Sequence, residues 1–167
     1  MIQYYLRYFS LAFILIFLQI LIFNHVNLFG FSNPTIYIIL LIVYRLTQDQ
    51  FGLILISFIL GFLIDLLTQT AGAHSIACVT TAFVRPVVSR FALGENYDQP
   101  YAMFTGTLLT NRLLYVFLII LIHQLIFAFV AYFSMAHFWI IFKHSITNTL
   151  FSFILIAATI NLLQPKK

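Results

Sequence analysis

Six apolar runs, separated by short polar connections, dominate the order of residues along this chain. A helix that faces lipid needs roughly 20 predominantly apolar residues to cross the hydrocarbon core. Several of the runs approach that length, and nearly all charged residues lie between them. The pattern predicts an all-α polytopic membrane protein with about six transmembrane helices. Their expected ranges are residues 4–23, 35–44, 51–67, 73–93, a span within 101–133, and 145–163.

Two of the runs depart from the ideal length. Residues 35–44 are short, on the order of 16 Å as a helix, and they follow Asn33-Pro34, which is typical of a helix start. Residues 101–133 exceed one perpendicular helix, so we expect residues 101–111 at the interface or in a bent entry. The first run follows Arg7 as a signal peptide would, but no small-x-small cleavage pattern ends it, which predicts a retained span.

Composition supports a membrane location and a single domain. The chain is 63% hydrophobic and 7% charged, with a mean hydropathy of +1.06, whereas about 25% of the residues in a typical soluble domain are charged. No stretch is long or polar enough to form a separate soluble domain, so we expect one membrane domain over residues 1–167. The lone Cys78 cannot form an internal disulfide or a cysteine metal cluster and is expected to be a small core residue.

Charge predicts the orientation. The net charge of +4 arises from basic residues scattered singly at the ends of the runs, which favours membrane orientation over binding of nucleic acid. With six spans, Lys143 falls on one side and the other seven basic residues fall on the opposite side. Cytoplasmic loops carry the Lys/Arg excess, so both termini and the polar loop over residues 94–100 are predicted to be cytoplasmic. The seven are Arg7, Arg45, Arg85, Arg90, Arg112, Lys166 and Lys167.

Asp65 is the most informative polar residue, because it lies within the third apolar run near its predicted outer end. A charged residue at such a depth normally faces protein or a water-filled cavity. Ser57, Gly61 and Asp65 are spaced four apart on one helical face, which indicates either a packing seam or a specific functional contact. His74 begins the fourth run at the same expected depth, so a charge-assisted hydrogen bond with Asp65 is predicted in preference to a metal site.

Other polar residues gather in the same outer half and have several interpretations. They would line an outward-facing pocket, form the docking surface of a partner, or form a polar helix interface. Near mid-membrane, His123-Gln124 favours an interhelical hydrogen bond over a proton relay, and Arg85-Pro86 predicts a bend or an end of the fourth helix. The outer group comprises Gln19, Asn24 and His25, with His144, Asn148 and Ser152 on one face of the last run and Ser145 and Thr149 beside them.

The sequence contains no paired nucleophile and base, no phosphate-binding glycine loop and no metal motif. We therefore expect neither an enzyme nor a bound cofactor.

Five short segments, taken in order, resemble the rod shape-determining protein family MreD. Within them Gly61, Asp65, Gly72, His74, Arg85 and Pro86 match the family pattern by position. The resemblance covers about the first 90 residues well, and the remainder agrees in the number and size of the runs. The segments are residues 19–30, 33–37, 57–65, 72–77 and 83–86.

The resemblance implies a non-enzymatic component of the bacterial inner membrane that acts in lateral cell-wall elongation. Its expected partners are MreC and, indirectly, the MreB filament, the glycosyltransferase RodA and a penicillin-binding transpeptidase. It also implies the six-helix fold of the substrate-binding component of energy-coupling-factor transporters. A vitamin-like small-molecule binding subunit is the alternative, based on the polar cluster of Asn24, Asp65, His74 and Asn148. A proton-coupled carrier would need water-connected acids at the midplane, which the sequence does not offer.

Overall fold

A computed structural model describes residues 2–26, 33–44, 50–94, 107–133 and 138–163. All regular secondary structure within these ranges is helical, as the apolar runs predict. The first helix ends in one π-helical turn, Gln19–Phe23. The α-helices are α1 (Ile2–Leu18), α2 (Ile39–Val43), α3 (Gln50–Thr68), α4 (Ala73–Leu93), α5 (Leu109–Tyr132) and α6 (Phe138–Leu163).

Four of these helices, α3 to α6, are long and apolar enough to cross a membrane. They correspond to the third to sixth predicted spans, although α6 begins at Phe138 rather than at residue 145. The first run is helical throughout, as α1 and its π-helical turn, and contains an apolar helix over Tyr8–Phe23, whereas only Ile39–Val43 of the second run is helical. The count of six spans therefore remains a prediction. Arg45, Lys166, Lys167 and residues 95–100 of the predicted loop lie outside the described residues.

α3 and α4 form a tight antiparallel hairpin. Its turn places Gln69, Ala71 and Gly72 at positive φ, with Gly72 at 90° as the residue that precedes α4. Two turns into the hairpin the helices nearly touch, because a Cβ atom on Gly61 would stand 2.6 Å from the Cα of Ser75. α4 then packs on α5, and α5 packs on α6.

A partly extended chain segment, residues 33–44, fills the interior that these helices surround. We call it the interior segment. Residues 33–36 have no helical hydrogen bonds, and the segment then winds into α2. All of its residues from 34 to 44 are buried except Val43, which is half-buried, and the side chains of Tyr37, Leu40 and Ile42 have no exposed surface. This explains why the run is apolar without amphipathic periodicity: protein surrounds it on every side.

The outer surface of the helices is strongly apolar. Phe9, Phe51, Phe83, Phe91 and Leu108 each expose more than three-fifths of their surface. Contiguous apolar exposure on this scale is rare in a soluble monomer. The surface is compatible with a membrane protein, as the four long apolar helices also are.

Candidate functional site

The carboxylate of Asp65 caps the start of α4. It accepts hydrogen bonds from the backbone N–H groups of His74 at 3.0 Å and Ser75 at 2.8 Å, and from the Ser75 hydroxyl at 2.6 Å. The Thr70 hydroxyl donates a fourth bond at 2.5 Å. The first N–H groups of a helix lack partners within the helix and carry a partial positive charge. The carboxylate from α3 provides them with both hydrogen-bond acceptors and a negative charge.

The predicted bond between the side chains of Asp65 and His74 is not formed. The two residues lie at the same depth, as expected, but Asp65 contacts only the backbone of His74. The imidazole of His74 turns away, and its Nδ1 lies 2.6 Å from the hydroxyl of Tyr37 in the interior segment. The tight turn places Asp65 and His74 at the same depth. Asp65 bonds to the backbone N–H of His74 rather than to its imidazole because the first N–H groups of α4 need acceptors.

The seam of Ser57, Gly61 and Asp65 is buried and faces α4. The close approach at Gly61 explains why no side chain is present there. The hydroxyl of Ser57 is buried without a hydrogen-bond partner, so its contribution to the interface is its small size.

Tyr37 connects α4 to α5 through its hydroxyl. Besides His74, this hydroxyl contacts Nε2 of His123 at 3.1 Å, and the sulfur of Cys78 lies 3.7 Å from the same nitrogen. All three partners are buried. The prediction of an interhelical hydrogen bond for His123-Gln124 is confirmed, since His123 contacts Cys78 of α4 and the Ser145 hydroxyl of α6 donates to the carbonyl of Gln124. The contact of His123 with the interior segment is additional. Sequence reasoning missed Tyr37, although a tyrosine within an apolar run was a usable signal.

Gln19 and Ser152, two members of the predicted outer polar group, hold the main chain of the interior segment. The Oε1 of Gln19 accepts from the N–H of Ile36 at 2.8 Å, and its Nε2 donates to the carbonyl of Pro34 at 3.0 Å. The hydroxyl of Ser152 accepts from the N–H of Thr35 at 2.9 Å. Non-helical backbone at membrane depth requires such partners, since lipid supplies none.

The remaining members of the predicted outer group divide between the interior and the surface. Asn24 accepts a bond from Gln19 at 2.9 Å, and His25 is exposed. On α6 the buried polar face is formed by Ser152 of the predicted stripe together with Ser145 and Thr149, which were predicted beside it. His144 and Asn148 lie beside that face and are half-buried, with the His144 ring 5.9 Å from the ring of Tyr132.

Arg85 anchors the other end of the interior segment. Its guanidinium donates to the hydroxyl of Tyr115 at 2.7 Å, to the carbonyl of Ile42 at 3.2 Å, and to the carbonyl of Tyr44. A cation on the last carbonyls of α2 suits the negative end of that helix. α4 does not end at Arg85-Pro86, as one form of the prediction had it, but continues to Leu93. Arg85 is also far from Asp65, as expected.

The described residues offer little that would hold a ligand or a metal. Within the described ranges, no group of three or more His, Cys, Asp or Glu side chains is arranged to hold a metal ion. One groove of about 310 Å³ opens where α5 and α6 diverge, and its lining is wholly apolar. Its residues are Leu125, Ile126, Phe129, Phe138, Ile141 and Phe142.

Taken together, these contacts define an all-helical protein with four candidate membrane-spanning helices and a polar interior devoted to holding one chain segment. Comparison of the chain with family models, curated proteins and solved structures found no match.

Proposed function

We propose that this protein is a non-enzymatic component of the bacterial inner membrane that organises cell-wall elongation together with MreC. The single observation that carries the proposal is the ordered set of short segments that resemble MreD. The structure adds support, because five of the matching residues connect α3, α4 and the interior segment to one another. Gly61 and Asp65 join α3 to α4, Gly72 forms their turn, and His74 and Arg85 hold the two ends of the interior segment.

A structural role for these residues favours an interaction protein over an enzyme. Every hydrogen bond found for Asp65 and Arg85 is to another part of the chain. A catalytic carboxylate would have to face a substrate. The vitamin-binding alternative is disfavoured as well, because two of the four side chains expected to bind a vitamin are engaged within the chain: Asp65 bonds to the α4 backbone and His74 to the interior segment.

We infer that the chain crosses the membrane six times, with both termini in the cytoplasm. The interior segment supports this count. Tyr37 contacts His74 and the carbonyl of Tyr44 contacts Arg85, and these α4 residues are about 16 Å apart along their helix. Partly extended backbone lets twelve residues cover roughly 25 Å, because an extended residue advances about 3.3 Å and a helical one 1.5 Å.

The direction of each segment also alternates along the chain. α1 places Tyr8 against Tyr44 and Gln19 against Pro34, so it runs antiparallel to the interior segment. Six alternating segments of this kind agree with the fold that the resemblance implies, that of the substrate-binding component of energy-coupling-factor transporters.

The function is tested by depletion and by purification from native membranes. We expect depleted cells to round or swell, and we expect MreC to co-purify with the tagged protein. Normal cell shape together with no recovered MreC would refute the proposal.

A paired variant locates the contact. His144 and Asn148 are half-buried polar residues on one side of α6, and the sequence singles them out as candidates for contact with a partner. We expect the double variant His144→Ala, Asn148→Ala to reduce MreC recovery several-fold at an unchanged protein level. Thr147→Ala on the same helix is the matched control, because its hydroxyl bonds to the carbonyl of Lys143 in its own helix.

A further inference from the structure

The hydroxyl of Tyr37 lies between two histidines in a fully buried chain of hydrogen bonds. Its distances are 2.6 Å to Nδ1 of His74 and 3.1 Å to Nε2 of His123. Tyr37 and His123 have no exposed surface, whereas His74 keeps 7% exposure at the start of α4. The chain therefore has one end near the surface and one end closed inside the protein.

The contacts impose one direction on these hydrogen bonds when both imidazoles are neutral. Nδ1 of His123 is buried and has no hydrogen-bond partner within the part of the chain that the structure describes. A buried N–H without a partner is rarer than an under-used acceptor, so the proton of His123 belongs on Nε2, where it donates to Tyr37. The Tyr37 hydroxyl then donates to Nδ1 of His74, which carries its own proton on Nε2.

An added proton breaks this order. If Nδ1 of His74 becomes protonated, it donates to Tyr37, whose own proton then needs another acceptor. Nε2 of His123 can accept it only if the His123 proton moves to Nδ1, which has no partner. Otherwise two N–H groups point at one hydroxyl oxygen. Either result leaves one buried donor without an acceptor, the Nδ1–H of His123 in the first case and the Tyr37 hydroxyl in the second, and this destabilises the contacts that hold the interior segment to α4 and α5.

The surrounding groups make His74 the entry point for such a proton. Asp65 from α3 bonds to the His74 backbone, and the ring of Phe127 from α5 stacks on the imidazole with centroids 4.3 Å apart. Of Tyr37, His74 and His123, only His74 keeps exposed surface, so an added proton reaches the chain there. Cys78 from α4 contacts only the His123 end.

The other elements around the interior segment present no acid or base near Tyr37. α1 contacts it through Gln19, and α6 contacts it through Ser152. Neither side chain titrates. Arg85 of α4 is at the far end of the segment.

We propose that Tyr37, His74 and His123 form a proton-sensitive latch that loosens the interior segment when the medium at the start of α4 becomes acidic. The latch depends only on the described contacts, so it stands or falls independently of the proposed role in wall elongation. It makes the hold on the interior segment depend on the pH at the side of the membrane where α4 begins.

Hydrogen–deuterium exchange of the whole protein in lipid nanodiscs tests the latch. The quantity compared is the protection factor of the amides in residues 36–44, corrected for the intrinsic pH dependence of exchange. Between about pH 7.5 and about pH 3.5 we expect protection to fall roughly tenfold, the equivalent of one pKa unit of coupling. Amides of residues 53–60 in α3 serve as the internal reference and should change little.

Isosteric variants distinguish the effect of histidine protonation on amide protection from the effect of Asp65 protonation, which also occurs in acid. In the double variant His74→Asn, His123→Gln, the amides keep one acceptor and one donor toward Tyr37 but bind no proton. We expect full protection at both pH values. In Tyr37→Phe we expect low protection at both. Wild-type protection that does not depend on pH, or a fall that persists in the double variant, would overturn the latch.

Discussion

Asp65 shows how a single charged residue is accommodated inside an apolar helix pair. Its two oxygens accept four hydrogen bonds from the turn and from the start of α4. Arg85 does the corresponding task at the end of α2 with the opposite charge. At the scale of residues, these two charges satisfy helix ends that lipid would leave without partners.

Replacing Asp65 by Asn should weaken the α3–α4 hairpin. The amide can accept at one atom only, and its NH₂ group would face N–H donors. Since hydrogen bonds to a charged group contribute about 1.5–3 kcal/mol, we expect a loss of about 2 kcal/mol in unfolding free energy. Thermal unfolding in detergent measures it. Leu66→Ala, at an exposed position on the same helix, is the control and should have little effect.

Gly61→Ala should separate α3 from α4. The new methyl group would stand 2.6 Å from Ser75 Cα and 2.8 Å from the His74 carbonyl oxygen, so backbone must move at a cost of about 1–3 kcal/mol. Ser57→Ala on the same face removes only a hydroxyl that has no partner and should be neutral or slightly stabilising. Equal thermal stability of the two variants would contradict the close contact.

The interior segment is the element on which the fold depends. Its apolar character and its short length were visible in the sequence, and so was the capping potential of Asn33-Pro34. Its conformation was not, because the bonds that stabilise it come from Gln19, Ser152 and Arg85, which are distant in sequence. For long helices periodicity and length suffice, since their backbone bonds are internal. An extended segment depends on partners that no local pattern reveals.

Gln19→Leu tests this dependence at the level of the element. The substitution keeps the volume but leaves the Ile36 N–H and the Pro34 carbonyl without partners. We expect unfolding free energy to fall by about 1–3 kcal/mol, with faster amide exchange confined to residues 33–40. Leu21→Ala, which alters an exposed side chain, should leave exchange there unchanged. If Gln19→Leu also leaves it unchanged, the side chain does not hold the segment.

At the scale of the whole molecule, the contacts arrange six segments in alternating directions. Each segment runs antiparallel to the one before it, as contacts such as Tyr8 with Tyr44 and Arg85 with Tyr115 indicate. The six segments are α1, the interior segment and α3 to α6. The placement of basic residues along the sequence predicts the same alternation. The account therefore rests on the claim that the interior segment carries the chain across the membrane.

Cysteine accessibility in intact cells tests most directly whether the interior segment crosses the membrane. With Cys78→Ala as the background, Thr47→Cys reports the connection after the interior segment, and Ser134→Cys reports the connection between α5 and α6. We predict that a membrane-impermeant maleimide labels the Ser134→Cys variant in intact cells, and the Thr47→Cys variant only after the membrane is permeabilised. Labelling of the Thr47→Cys variant in intact cells would contradict the six-span account.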